Sequence, residues 1–332
     1  MAAAGGGPNS ERVLVTTMKA VRTRRYGSAE VLDVVEMPDP KIGAHEVLVR
    51  VRASSVNPVD WKVRRGDLRP ISGLTPPRIL GADFAGEIED IGRKVEGYAI
   101  GDRVFGMVHA FKGGAYAQKV AVGPRQITRM PSNTSFEEAA VLPLVSLTVH
   151  KLFFVRSPRT PGQHVLINGC TGGLGHVAVQ MAKVLGYRVT GVCSTRNVDV
   201  AKQLGADEVI DYRVLSPLAG EQRYDLVFDA IANLDFAEAK HILSDDGVYM
   251  SSIPSPTNML VAPVLNRFRG KQHRTLWVSP DGDALREVAR MVEAGQLRPL
   301  IEKVYALDDI RAAHAHSKTG RVVGKLALRI EG

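Results

Sequence analysis

The chain has 332 residues, 45% hydrophobic and 23% charged, with 43 Lys and Arg against 35 Asp and Glu for a formal charge of +8. That balance excludes a disordered protein and leaves room for two domains, and no run of about 18 apolar residues is present to span a membrane. The basic residues are scattered, as in "VRTRRYG" and "LNRFRGKQHR", which reads as a solvated basic surface and not as a nucleic-acid patch.

Residues 1–17, "MAAAGGGPNSERVLVTT", are small, polar and Gly-rich and read as an unpacked extension; they lack the Arg-rich amphipathic character of a transit peptide. The two cysteines, Cys170 and Cys193, cannot build a disulfide framework, and no secretory apolar segment precedes them. A reducing, cytoplasmic setting is expected, with an organellar stroma or peripheral membrane association left open.

From there "EVLVRVRASSV" alternates, with Val47, Val49 and Val51 on one face and Leu48, Arg50 and Arg52 on the other. Glycine and proline then punctuate "RRGDLRPISGLTPPRILGADFAGEIEDIG" and "YAIGDRVFGMV", so a compact β-rich domain is predicted up to about residue 140. The stretch "SFEEAAVLPLVSLTVHKLFF" changes to a helical period, with Ser135 as N-cap and Glu138 three residues on in a capping-box pattern.

A βαβ series follows. "HVLING" is a short apolar strand, "HVAVQMAKVLG" an amphipathic helix stopped by Gly186, "RVTGVCS" a strand, and "NVDVAKQLG" a helix stopped by Gly205; "DEVIDY", "YDLVFDAI" and "GVYMSSI" are further strands. This alternation predicts a parallel sheet covered by helices on both faces. Later, "SPDGDALREVARMVEAG" is a capped helix ending at Gly295, and "LIEKVYAL", "DDIRAAHAHSKTG" and "RVVGKLALRI" give strand, helix and strand. His314 and His316, two apart on a helix, point to different sides and read as a solvated face, not as metal ligands.

The strand "HVLING" runs straight into Gly172, Gly173 and Gly175, so Gly173-Leu174-Gly175-His176-Val177-Ala178 fits G-x-G-x-x-A between a strand and a helix. In a Rossmann unit such glycines allow a tight turn and a close backbone approach, and the helix N-terminus offers free N–H groups to a pyrophosphate. At the end of the next strand, where an NAD-binding chain carries an acid for the ribose, stand Ser194, Thr195, Arg196 and Asn197, with no acid until Asp199. A carboxylate there repels a 2′-phosphate and an arginine fork binds one, so NADPH is favoured over NADH.

From Met18 onward the chain resembles the medium-chain dehydrogenase/reductase superfamily in its zinc-free quinone oxidoreductase branch, through "SVNPVDWKVRRG", "ILGADFAGEIEDIG", "GDRVFG", "AAVLPLVSLT", "GCTGGLGHVAVQMAK", "LGADEVIDY" and "GRVVGKLAL". Within the branch, "NPVDWK", "CSTRN" and "DEVIDY" are similar to chloroplast-envelope quinone oxidoreductase homologues and to alkenal or enone reductases. The resemblance implies an α/β fold: a GroES-like β-barrel domain from residues 18–143 and 278–332, a Rossmann doubly wound parallel sheet over 144–277, an active site in the cleft, and a homodimer through the sheet edge. It also implies site residues. Gly172, Gly173, Leu174 and Gly175 would hold the pyrophosphate, and Ser194, Arg196, Asn197 and Tyr212 the 2′-phosphate. Thr148 would contact the cofactor, Ile231 and Ile253 would pack near the nicotinamide, and Asn57 and Lys62 would face it from the barrel.

In that scheme Asn57 positions the nicotinamide ribose or the substrate oxygen, and Lys62 is a cation supporting a developing oxyanion. Related enzymes often carry Tyr near the place of Lys62, and plainer roles stay open: a turn at Asn57-Pro58, a solvated Lys62. Zinc alcohol dehydrogenases carry Cys near the position of Asn57 and His in a G-H-E segment that here reads Gly81-Ala82-Asp83. Neither a catalytic nor a structural zinc set is recognisable, and Cys170 and Cys193 read as small buried residues. Without a Lewis acid, acceptors that delocalise their own charge are favoured. The expectation is therefore a zinc-independent, NADPH-dependent reductase of quinones or of the activated C=C bond of enones. A zinc-type alcohol dehydrogenase with ligands elsewhere, and a non-catalytic NADPH- or RNA-binding protein on the same scaffold, remain the alternatives.

Overall fold

The computed structural model describes residues 16–156, 160–252, 266 and 270–331. The expectations for Ile253 and for residues 1–15 lie outside the described residues. Strands β1 (Thr17–Thr23) and β2 (Leu32–Pro38) form an antiparallel pair. The alternation that begins at Val47 builds β3 (Val47–Val56), the hub of a seven-stranded sheet. β4 (Asp83–Ile91) and β6 (Lys119–Val122) pair with β3, and β5 (Arg103–Met107) and β7 (Ile127–Arg129) continue the sheet beyond β4. Val47, Val49 and Val51 bury against Phe84, Ile88 and Val104, each contributing about 1.5 to 3 kcal/mol of apolar burial. Arg50 and Arg52 lie outside and pair across the sheet with Glu89 and Glu87.

The second unit is a six-stranded, wholly parallel sheet. Its strands are β8 (His164–Asn168), β9 (Arg188–Cys193), β10 (Glu208–Asp211), β11 (Tyr224–Asp229), β12 (Leu243–Ser251) and β13 (Gln272–Thr275), in the order β10-β9-β8-β11-β12-β13. That is the doubly wound Rossmann order. Every residue of β8 is buried, as a strand covered by helices on both faces must be. The helix Gly175–Val184 turns Val177, Ala178, Met181 and Ala182 into the core, and Gly186 with φ +75 follows its end.

The chain then returns to the first sheet. β14 (Ile301–Ala306) pairs with β15 (Lys325–Arg329), and β15 pairs antiparallel with β3. Two local expectations are corrected. "SFEEAAVLPLVSLTVHKLFF" forms two helices, Phe136–Ala140 and Pro143–His150, followed by a π-type turn at Lys151–Arg156. Pro143 lacks an N–H and starts the second helix in place of continuing the first. The capping box is present: Ser135 Oγ accepts from Glu138 N at 3.2 Å, and Glu138 Oε2 accepts from Ser135 N at 2.8 Å.

The histidine pair is the other correction. His314 lies with Ile310, Ala313 and Ser317 on the buried stripe of the helix Ile310–Lys318, so it is a core residue and not part of a solvated face. The i, i+3, i+4, i+7 spacing decided its side. Among the described residues no helix is long and apolar enough to cross a membrane.

Candidate active site

β8 and β11 are neighbours in the Rossmann sheet, and the chain leaves them towards opposite sides, which opens a crevice beyond their carboxyl ends. The turn after β8 is folded on its own backbone. Gly169 and Cys170 donate their amides to the Val192 carbonyl, Gly172 donates to Gly169, and His176 donates to Gly172. The amides of Gly173, Leu174 and Gly175 find no acceptor among the described residues. A Cβ on Gly175 would stand 2.1 Å from the Gly169 carbonyl oxygen, so only glycine lets the helix start so close to the strand end. Gly172, Gly173 and Leu174 are partly exposed, and a pyrophosphate fits this cradle by its free donors and positive helix end.

The residues chosen for the 2′-phosphate gather at the end of β9. Ser194 is buried, Asn197 Nδ2 donates to Thr171 Oγ1 at 3.2 Å, and Tyr212, which is exposed, donates its amide to the Cys193 carbonyl. Arg196 is exposed and reaches across to the other unit, where its Nη2 donates to the Arg321 carbonyl at 2.9 Å. A cleft of about 740 Å³ lies here, lined by Arg196, Asn197, Glu302, His316 and Arg321 among others. His316 holds its place through Glu302 Oε1 at 2.9 Å and the Tyr305 hydroxyl at 2.9 Å. The carboxylate of Asp211 is also near, but it accepts from Thr195 Oγ1 and Arg213 N.

On the other side of the crevice, buried Asp229 organises the loop after β11. Its Oδ1 accepts from Asn168 Nδ2 and Ala232 N, and its Oδ2 from Leu234 N and the Tyr249 hydroxyl. The loop carries Ile231, half exposed, over Gly169: a Cβ there would meet Ile231 Cγ2 at 2.7 Å. Ala232 takes φ +56, a left-handed conformation that an alanine adopts only where its surroundings impose it. Thr148 is buried and its hydroxyl donates to the Leu144 carbonyl of its own helix at 2.7 Å.

Across from the glycine turn sits a buried polar cluster. Asn57 is fully buried; its Nδ2 donates to Asp83 Oδ2 at 2.8 Å, and its Oδ1 accepts from the ammonium of Lys325. Asp83 also accepts from Ser55 Oγ at 2.7 Å and Leu144 N at 2.8 Å. Asp60 accepts from Asn57 N at 2.8 Å and from the Tyr116 hydroxyl at 2.7 Å. Burial pushes the Asp60 carboxyl up to about 7, partly countered by those two hydrogen bonds. It pushes Asp83 up and Lys325 down, and each charge pulls the other back towards the ionised form. Lys62 stands outside this set: half-buried, its ammonium lies 5.5 Å from the Trp61 ring centre, and burial lowers its pKa.

The sequence relationships agree with this geometry. Residues 43–141 match the alcohol dehydrogenase GroES-like domain family and residues 204–328 the zinc-binding dehydrogenase family. The chloroplastic quinone-oxidoreductase QR1 of Triphysaria versicolor is 33% identical over 322 residues, covering 94% of this chain and 98% of the relative. The chain belongs to the medium-chain dehydrogenase/reductase superfamily. The solved quinone oxidoreductase of Coxiella burnetii is 30% identical with a TM-score of 0.87, over 95% of this chain and all of that one. The human mitochondrial NAD(P)H oxidoreductase RTN4IP1 is 28% identical over 95% of this chain and 90% of its own length.

As a member of that superfamily the chain is an oxidoreductase whose relatives use nicotinamide cofactors, and its two units are the GroES-like domain and the Rossmann sheet. Among the described residues no three or more His, Cys, Asp or Glu side chains are grouped to hold a metal ion. Cys170 and Cys193 are free and buried. Sequence reasoning did not single out Lys325, Asp60 or Tyr116. For Lys325 the signal was a lone Lys inside the strand-like run "GKLAL", where a buried charge requires a partner.

Proposed function

We propose that this oxidoreductase is NADPH-dependent and zinc-independent, and reduces quinones or the activated C=C bond of α,β-unsaturated carbonyl compounds. The observation that carries the cofactor choice is the end of β9, where Ser194 precedes Arg196 and Asn197, these two line a cleft with Arg321 and His316, the lining Glu302 is paired with His316, and the nearby Asp211 is engaged by its own neighbours. Relatives whose printed names are quinone-oxidoreductase and NAD(P)H oxidoreductase support the acceptor class.

The nicotinamide, when bound, supplies a hydride to an acceptor that spreads the resulting charge over its own ring or enolate. In this reading the amides of Gly173, Leu174 and Gly175, with Gly172, bind the pyrophosphate; Ser194, Arg196, Asn197 and Tyr212 bind the 2′-phosphate. Asp229 keeps the loop of Ile231 folded against the turn, which sets Ile231 as an apolar contact for the nicotinamide; the same role for Ile253 comes from the family resemblance alone. Thr148, Asn57 and Lys62 line the opposite side, with Lys62 the cation available to a developing oxyanion. The reading includes a homodimer through the edge of the Rossmann sheet, a small-molecule substrate and a reducing compartment, cytoplasmic or organellar, suited to two free thiols.

The test is NADPH oxidation by protein treated with a chelator, across quinones, alkenals, enones and simple ketones, together with metal analysis. Turnover of the first three classes without metal is expected. Alcohol or ketone turnover that follows bound zinc, or NADPH binding with no turnover of any acceptor, overturns the reading.

A further inference from the structure

We propose that Lys325 is a positioning residue: it locks the Asn57 amide in one orientation and ties it to the glycine turn, so that the cofactor cradle and the barrel wall meet the substrate in fixed register. The inference rests on the reductase reading above. Its starting point is a charged side chain buried in the core. Lys325 opens β15 next to Leu326 and Leu328 and is itself only 3% exposed.

The ammonium binds Asn57 Oδ1, lies 3.3 Å from the Val56 carbonyl oxygen and 3.9 Å from Asp83 Oδ2. Asn57 is thereby held between a cation on its oxygen and a carboxylate on its nitrogen. Turning the amide over would set NH2 against the ammonium and C=O against the carboxylate, losing two charge-assisted hydrogen bonds at once. One orientation is therefore enforced.

The stem of the same lysine faces the other unit. Its Cδ lies 3.3 Å from the point a Cβ on Gly173 would occupy, so the side chain runs along the open face of the glycine turn. The backbone is pinned there too: Gly324, at φ +70, donates its amide to the Thr171 carbonyl at 2.8 Å. One residue thus touches both the turn that would hold the pyrophosphate and the amide on the barrel side, and a displacement of either is passed to the other through a buried side chain. Small displacements matter at such a site, because a misplacement of about 1 Å costs about 100-fold in rate.

The experiment compares Lys325→Met, Lys325→Gln and Lys325→Arg with the wild-type protein, reading kcat and KM for the best acceptor, the NADPH dissociation constant, and hydrogen exchange of the 15N-labelled Asn57 side-chain amide in the free protein. Lys325→Met is expected to lower kcat by about 100-fold, to change the acceptor KM little, and to speed exchange of the Asn57 amide. Lys325→Arg should restore most of the rate and the slow exchange, with Lys325→Gln between them. Gly173→Ala, which pushes on the lysine stem, should also speed exchange at Asn57, an effect that simple loss of fold elsewhere would not single out. Unchanged kcat and unchanged Asn57 exchange in Lys325→Met or Lys325→Gln overturn the proposal, as does a rate loss in Lys325→Arg equal to that in Lys325→Gln. If Lys325→Met does not fold, the Arg and Gln variants decide. Slow Asn57 exchange that depends on Lys325, in a wild-type protein that reduces none of the acceptors, would instead sink the reductase reading and leave the lock standing.

Discussion

Arg196 of the Rossmann unit donates to the main-chain carbonyl of Arg321, 2.9 Å away across the cleft. The bond uses one arm of the guanidinium and leaves the rest of the fork for an anion, with His316 and Arg321 itself on the same cleft wall. Arg196→Ala is expected to weaken NADPH by roughly 1.5 to 3 kcal/mol, the worth of a hydrogen bond to a charged group, and to leave NADH nearly unaffected. Fluorescence titration with both dinucleotides checks this; equal losses would remove Arg196 from the 2′-phosphate.

The glycine turn gives a graded test. A methyl on Gly175 would enter the backbone at 2.1 Å from the Gly169 oxygen and 2.7 Å from the Cys170 carbonyl carbon, where nothing can swing aside. Gly175→Ala should cost about 1 to 3 kcal/mol of stability and abolish measurable NADPH binding. Gly172→Ala meets its nearest atom only at 3.4 Å and should keep the wild-type melting temperature. Wild-type binding by Gly175→Ala, read calorimetrically, would contradict the cradle.

His314 packs edge-on against Tyr116 with ring centres 5.7 Å apart, and neither ring nitrogen has a hydrogen-bond partner among the described residues. Burial, reinforced by the neighbouring Arg64 charge, pushes its pKa down to about 3. The native state therefore refuses a proton that the unfolded chain takes up. Its stabilisation is complete above the ordinary histidine value and is lost as pH falls, by roughly 3 kcal/mol at about pH 4. His176, lowered by burial to about 4, acts in the same sense. Urea unfolding of His314→Leu between neutral and acid pH should show a slope smaller by up to one proton; an unchanged slope refutes the assignment.

Asp60 works in the opposite direction. With its carboxyl held up at about 7, the native state keeps a proton that the unfolded chain has released, so the contribution of Asp60 to stability falls as pH rises between the ordinary carboxyl value and about 7. Asp60→Asn, which cannot ionise, should abolish that fall. The difference in melting temperature between wild type and variant across the window checks it, and a difference that does not change with pH would count against a protonated Asp60.

Ala232 offers a test through the backbone. At φ +56 it pays a left-handed penalty that glycine does not, so Ala232→Gly should raise stability by about 0.5 to 1 kcal/mol. A lower melting temperature for the variant would show that the loop is not strained.

Much of this molecule was legible in the residues because its signals are local. The strand-glycine-helix succession at 164–184 is one continuous stretch, and its turn chemistry admits few other folds. The burial of Val47, Val49 and Val51 followed from alternation alone. What stayed hidden depends on contacts between distant segments. Nothing near Asn57 announces Lys325, and nothing near Arg196 announces Arg321, because each pair is made only when the last strand returns to the first sheet. His314 misleads for a different reason: a second histidine two residues away suggests metal spacing, whereas the apolar positions at 310 and 313 fix which side it faces.

That return has a price in time. Lys325 and Asn57 are 268 residues apart, and β15 supplies the antiparallel partner for the Ala53–Val56 end of β3 on the edge opposite β4. On the ribosome the Rossmann segment is finished and able to collapse while the earlier barrel strands still wait with an open edge, exposed to pairing with other chains. Assembly of the barrel and alignment of the catalytic crevice are then one late event, so no half-built form can hold its cofactor in working order.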